Sequence, residues 1–188
     1  MHFASAFFVA KKSPYHNISY KEVFNLAYNR FAAVRYARRW AFRRNPAFYN
    51  FDELGGDCTN FVSQCVFAGS GVMNFSQTLG WYYISPDARA PSWTSVQFFY
   101  DFMTQNEGAG PYGIDAPLSL AQPGDVMQFA YGENESFSHT LLVVAVGRNP
   151  SPENILLAAH TNDAFARPMS TYDITNARLI HIEDVRGQ

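Results

Sequence analysis

At 188 residues and 21.2 kDa the chain has room for one well-buried domain. Hydrophobic residues make up 47% of it and aromatic residues 16%, with 17 Phe and 11 Tyr, against a charged fraction of 16%; this composition excludes disorder and calls for a large aromatic core. A net charge of −2 leaves no electrostatic footprint for nucleic acid, and no stretch reaches the ~20 apolar residues that a membrane span needs.

Residues 1–18 have no clear period and end in Ser13-Pro14, so they read as an N-terminal arm, with the main domain at 19–188. The apolar run Phe3 to Ala10 has no positive residue before it and Lys11-Lys12 after it, the reverse of a secretory signal. Ser19 and Glu22 have the spacing of a capping box, which predicts a long helix to about Arg44, stopped by Asn45-Pro46. On its helical wheel Val23, Ala27, Phe31, Val34 and Ala41 form an apolar side, adjoined by Ala33, Tyr36, Ala37 and Trp40. Arg35, Arg39 and Arg43 share the remaining stripe, which reads as a solvated face rather than a phosphate site. Arg30 falls inside the apolar arc, where a guanidinium needs a carboxylate partner.

Gly55-Gly56-Asp57 then delivers Cys58 to the first turn of a second helix, which runs until Gly69-Ser70-Gly71. Free backbone N–H groups at a helix start carry partial positive charge and bias a thiol toward thiolate. That makes Cys58 the candidate nucleophile, set against the plain alternative of a small buried hydrophobe. Cys65 lies two turns further on, roughly 10 Å away at 1.5 Å per residue, too far for a disulfide. Asp57 caps the helix or fixes the loop, capping being the preferred reading. The aromatic segment from Val72 to Pro91 reads as an ordered loop in which Trp81 shapes a substrate cleft, together with Trp93 at the start of a third helix that ends near Gln105. Loop aromatics that merely cap the core are the competing reading.

After Gly108-Ala109-Gly110-Pro111 the period turns strand-like: Val126 to Tyr131, His139 to Gly147, Ile155 to His160, and Arg178 to Asp184. Helices followed by strands predict an α+β domain whose helices pack on one side of an antiparallel sheet.

A thiolate needs a neighbour that takes its proton and later gives it to the leaving group. His2 and His16 lie in the arm, and His181 sits inside a strand pattern. His139, following a polar loop and opening a strand, is the candidate base. If the strands at 139–147 and 155–160 form a hairpin, paired residue numbers sum to about 299–302. An odd sum puts His160 and Asn162 on the face of His139; an even sum puts Asp163 there. His160 is preferred as the orienting third group, with Asn162 and Asp163 as alternatives. A zinc set of Cys58, Cys65, His139 and His160 lacks any Cys-x-x-Cys or His-x-x-x-His pair, and no Gly-rich nucleotide loop is present, so no metal or cofactor is expected.

Tyr28-Asn29-Arg30, Ala32-Ala33, Tyr36-Ala37, Trp40, Asn45-Pro46 and the run Gly55-Gly56-Asp57-Cys58-Thr59-Asn60-Phe61-Val62-Ser63-Gln64 resemble the bacterial putative amidase domain. Gly80-Trp81-Tyr82, Ser92-Trp93-Thr94, Pro123-Gly124-Asp125-Val126, Ser138-His139-Thr140 and Ala159-His160-Thr161 extend the resemblance, which runs from about residue 19 to the C-terminus. It implies a papain-like fold related to NlpC-type and CHAP-type cell-wall hydrolases, in which helices pack on a small sheet or half-barrel. It also implies Cys58 as nucleophile, His139 as base, His160 as the polar third residue, and peptidoglycan peptides as substrate in an extracellular or cell-wall setting. The expected function is a cysteine amidase or peptidase. Acyl transfer by the same dyad and a non-catalytic cell-wall binding module are the alternatives.

Overall fold

A computed structural model of the chain describes residues 25–133 and 136–187. The arm at 1–18, the Ser19–Glu22 capping box, His2 and His16 lie outside the described residues. The elements run β1 (Asn25–Leu26), α1 (Arg30–Trp40), α2 (Cys58–Ser70), β2 (Tyr83–Ser85), β3 (Ala88–Arg89), α3 (Val96–Gln105), β4 (Gly110–Ala116), β5 (Val126–Ala130), β6 (Phe137–Val146), β7 (Ile155–Ala159), β8 (Ala164–Pro168) and β9 (Asn176–Arg186).

The first helix begins later than predicted. Asn29 caps it by accepting the Ala32 N–H at 2.9 Å, and the residues just before are extended, pairing with the end of β9. Ala33, Ala37 and Ala41 are its fully buried positions, while Phe31 stands 74% exposed. The reason is close approach to α2: the Asn29 N–H donates to the Gly69 carbonyl at 2.9 Å, and a Cβ on Gly69 would lie 2.5 Å from the Tyr28 ring. Small residues face that crossing, and the wheel turns to suit. Arg30 has its required carboxylate, Asp125, and also donates to the carbonyls of Pro123 and Ile182. Asp125 is fully buried and accepts from His181 Nδ1 at 2.8 Å, so His181 is structural.

α2 is buried on nearly every side, Cys58 through Val66 without a break, and Gly71 at φ +65° ends it by donating to the Phe67 carbonyl. All pairings in the main sheet are antiparallel, in the order β1-β9-β5-β6-β7-β8, with β4 also on β9; the sheet is open, and the domain is α+β. One face, carrying Val126, Leu142, Ala158 and Ile180, packs against all three α-helices. The opposite face, carrying Met127, Phe129, Leu141 and Leu179, is covered by Ala121, Met169 and their neighbours. Burial on both faces explains why the central strands read as continuous apolar runs.

Strands β1, β2, β3, β4 and β8 were not expected. β4 hides behind turn residues: Gly110 at φ +102° starts it, and Gly113 sits at a bulge where a Cβ would meet the His181 carbonyl oxygen at 2.2 Å. The Val72–Pro91 segment is not all loop, since β2 and β3 form a small hairpin within it.

Candidate active site

Two left-handed glycines, Gly55 at φ +97° and Gly56 at φ +104°, swing the chain into α2. Gly56 lies against Thr161, whose Oγ1 a Cβ there would meet at 3.2 Å, and the Asp57 N–H donates to the same oxygen at 3.0 Å. The loop before the cysteine is thus fastened to the turn after β7.

Asp57 occupies the N-cap position without capping. Its buried carboxylate accepts from the Phe51 N–H at 2.9 Å, Asn60 Nδ2 at 2.8 Å and His160 Nδ1 at 2.6 Å, and makes no bond to the free amides of the helix. The capping reading is therefore corrected: Asp57 holds the loop. His160 is 1% exposed and stacks on Phe61 with ring centroids 3.9 Å apart. Its Nε2 faces the Trp40 carbonyl at 2.9 Å, so both ring nitrogens point at oxygen partners. Such a ring is committed to the floor beneath the cysteine and is not turned toward His139.

Hairpin register explains this in part. β6 and β7 pair with numbers adding to 301 at the turn end, then a bulge between Val143 and Ala145 shifts them to 300 at Leu142↔Ala158. The even sum removes His160 from the face of His139. The strand then ends at Ala159, and Thr161 (φ +60°) and Asn162 (φ +71°) turn the chain away. Asp163 pairs with Arg44 at 2.9 Å instead. Of the three alternatives, Asn162 is the one that lines a cavity with His139.

Cys58 is a free thiol, 8% exposed, with Sγ 3.8 Å from Thr59 Oγ1 and against the main-chain amide of Thr140. Thr59 Oγ1 and Thr140 Oγ1 are 2.9 Å apart, so two threonines bolt the start of α2 to the start of β6. His139 is the residue before that bolt. It lies 9% exposed on the wall of an open cavity of about 330 Å³ that Tyr131, Asn162, Arg167, Tyr172 and Asp173 also line.

Electrostatics in the site run against the expected thiolate. Burial pushes the Cys58 thiol up, and the Asp57 charge adds to it, outweighing the hydrogen bonds from Thr140 and Thr59. Burial, with the Arg167 charge, lowers His139 from 6.5 to about 4. At neutral pH the Cys58 thiol and the His139 imidazole both rest uncharged. Among the described residues no three His, Cys, Asp or Glu side chains converge to hold a metal ion, and no helix is long and apolar enough to cross a membrane.

Trp81 and Trp93 are both fully buried and line no cleft. Trp93 Nε1 donates to Asn60 Oδ1 at 2.9 Å, and Trp81 Nε1 donates to Ser63 Oγ at 3.1 Å, which itself donates to the Trp93 carbonyl at 2.9 Å. Gln64 Oε1 accepts from the Tyr36 hydroxyl at 2.7 Å. The polar residues that follow the cysteine are therefore latches that satisfy buried aromatic donors. Sequence reasoning missed Thr140 and Arg167. Thr140 was visible only as a neighbour of His139, and nothing in the sequence pattern marked Arg167.

Fold and site together define an α+β protein with a free thiol at a helix start, an imidazole at an adjacent strand start and an open cavity lined by that imidazole. A family model described as "Putative amidase domain" matches residues 27–182, and the chain belongs to that family, which points to amide-bond hydrolysis. It is 32% identical over 160 residues to "Uncharacterized protein YhbB" of Bacillus subtilis (strain 168), a match covering 82% of this chain and 49% of that protein. The chain spans about half the length of that relative. No solved structure matches it.

Proposed function

We propose that the protein is a cysteine-dependent amidase or peptidase of papain-like, NlpC- and CHAP-type architecture, acting on peptidoglycan stem peptides. The observation that carries this reading is the threonine bolt, which sets the free thiol of Cys58 against β6 one residue from the cavity-lining His139. Cys58 Sγ attacks the amide carbonyl carbon while its proton passes to His139, and the carbonyl π pair moves to oxygen. Backbone N–H groups at the start of α2 stabilise that oxyanion. Collapse breaks the C–N bond, the proton on His139 goes to the leaving amine, and water, deprotonated by His139, cleaves the thioester to release the acid and restore the thiol. Asn162 is the candidate to orient the imidazole; Asp57 and His160 keep the helix start in place.

Incubating the wild-type and Cys58→Ala proteins with digested cell wall, and reading the products by mass, tests this. Hydrolysis falling by at least ~10³-fold in the variant is the expected result. Unchanged hydrolysis overturns it.

A further inference from the structure

The cavity beside His139 contains a cation that the proposed reaction does not use. Arg167 is half-buried and fixed on several sides: Nε donates to Thr171 Oγ1 at 2.8 Å, Nη2 donates to the Thr171 carbonyl at 2.7 Å, and the guanidinium lies 3.8 Å over the Tyr172 ring. Those bonds occupy one edge of the guanidinium. Nη1 makes no hydrogen bond, and no carboxylate lies within ion-pair distance, among the described residues. Tyr172 lines the same cavity, and its buried hydroxyl has no partner at full hydrogen-bonding geometry among the described residues, while the Arg167 guanidinium lies close enough to act on it both as a charge and as a weak donor.

The backbone is bent to hold this arrangement. Thr161, Asn162 and Ala166 are the non-glycine residues with positive φ among the described residues, at +60°, +71° and +60°. Two of them line the cavity and the third directly precedes Arg167. Left-handed conformations are disfavoured for residues with a Cβ, least so for Asn, and gather where a site requires them.

A rigid guanidinium with a spare donor edge is built for a carboxylate, which takes two parallel N–H bonds. We propose that Arg167 is the specificity-determining residue of the site, and that the substrate carries a carboxylate next to the amide that Cys58 attacks. This rests on the reading of Cys58 and His139 as the reacting pair. The Tyr172 hydroxyl supplies a further donor beside the guanidinium. Asp173, on the same wall, repels a second carboxylate and favours a substrate with a single anionic group at that end, or one that also carries an amine. Docking of the carboxylate has a further effect: it offsets the Arg167 charge that helps hold His139 unprotonated, so the imidazole accepts the thiol proton more readily once the right substrate is bound.

The test compares stem peptides from digested cell wall with the same peptides after their carboxylates have been converted to carboxamides. Wild-type protein is expected to cleave the carboxylate pool with kcat/KM higher by on the order of tenfold or more, the usual weight of a charged hydrogen bond. Arg167→Gln is expected to abolish the kcat/KM ratio between the two pools, mainly through KM, whatever its rate on the amidated pool, and Arg167→Lys keeps part of that ratio. A structural role for Arg167 would slow both pools equally. Equal slowing, or a wild type indifferent to the two pools, overturns the proposal, and the wild-type comparison needs no variant to fold. Binding of both pools to the Cys58→Ala protein is measured by calorimetry in parallel. Tighter binding of the carboxylate pool supports the Arg167 site even if wild-type hydrolysis is absent, a result that would overturn the Cys58–His139 reading alone. Equal binding of the two pools, or none, overturns the Arg167 site.

Discussion

Two histidines of one hairpin, His139 in β6 and His160 just past the end of β7, meet opposite fates. His160 is sealed under the cysteine helix, both nitrogens bonded and its ring stacked on Phe61. His139 faces a cavity, with burial and Arg167 holding it unprotonated. The region around His160 is a closed lattice in which Asp57, Asn60, Phe51 and Trp40 satisfy one another. The region around His139 keeps polar groups in reserve and carries the left-handed backbone. A floor whose polar groups are paired with one another lies beside the cavity that the proposed reaction would use.

Exchanging the roles of the two histidines is the strongest way to break that contrast. His139→Ala is expected to lower hydrolysis of cell-wall peptides by roughly 10²–10⁴-fold, the range for loss of a general base, with the urea midpoint little changed. His160→Ala is expected to do the reverse first: it leaves the buried Asp57 carboxylate short of its partner and lowers unfolding free energy by about 3 kcal/mol. If His139→Ala unfolds the protein while His160→Ala leaves it stable, the division of labour is wrong.

Acid sharpens the comparison next. Because the folded state holds His139 at about 4 against 6.5 ordinarily, the unfolded chain takes up the proton first. Stability from this group is fully present above pH 6.5, drains away as pH falls toward 4, and amounts to roughly 3 kcal/mol at most. Denaturant melts at pH 7 and pH 4 should show that loss in the wild type and a smaller one in His139→Gln. A smaller effect concerns the floor. Ser63→Ala strips the acceptor from the Trp81 indole and is expected to cost about 1–3 kcal/mol, with activity per folded molecule preserved.

Much of this was legible in the chain. Gly55-Gly56 before Cys58 and Gly71 after it marked α2, because left-handed turns need glycine. The turn at 148–154 and the apolar run after His139 marked the β6–β7 hairpin. Arg30 in an apolar arc announced a buried carboxylate, found in Asp125. What was not legible depended on partners far along the chain. The buried face of α1 turned on Gly69, and β4 was disguised by its own glycines. Trp81 and Trp93 looked like cleft residues because loop aromatics carry no period, and their indoles are absorbed by Ser63 and Asn60.

The sequence by itself determined the elements on which chemistry can sit: a cysteine at a helix start, a histidine at a strand start, and an α+β order of helices then strands. These follow from local rules of capping, turn residues and hydrophobic period, which act over a few residues. Tertiary structure alone decided which side chains those two residues meet. One bulge at Val143–Ala145 changed the parity of the hairpin, and a turn at Thr161–Asn162 ended it, sending His160 to Asp57, Asp163 to Arg44 and Asn162 to the cavity. Burial likewise set the protonation of Cys58 and His139, since desolvation depends on everything packed around a group and not on its neighbours in sequence.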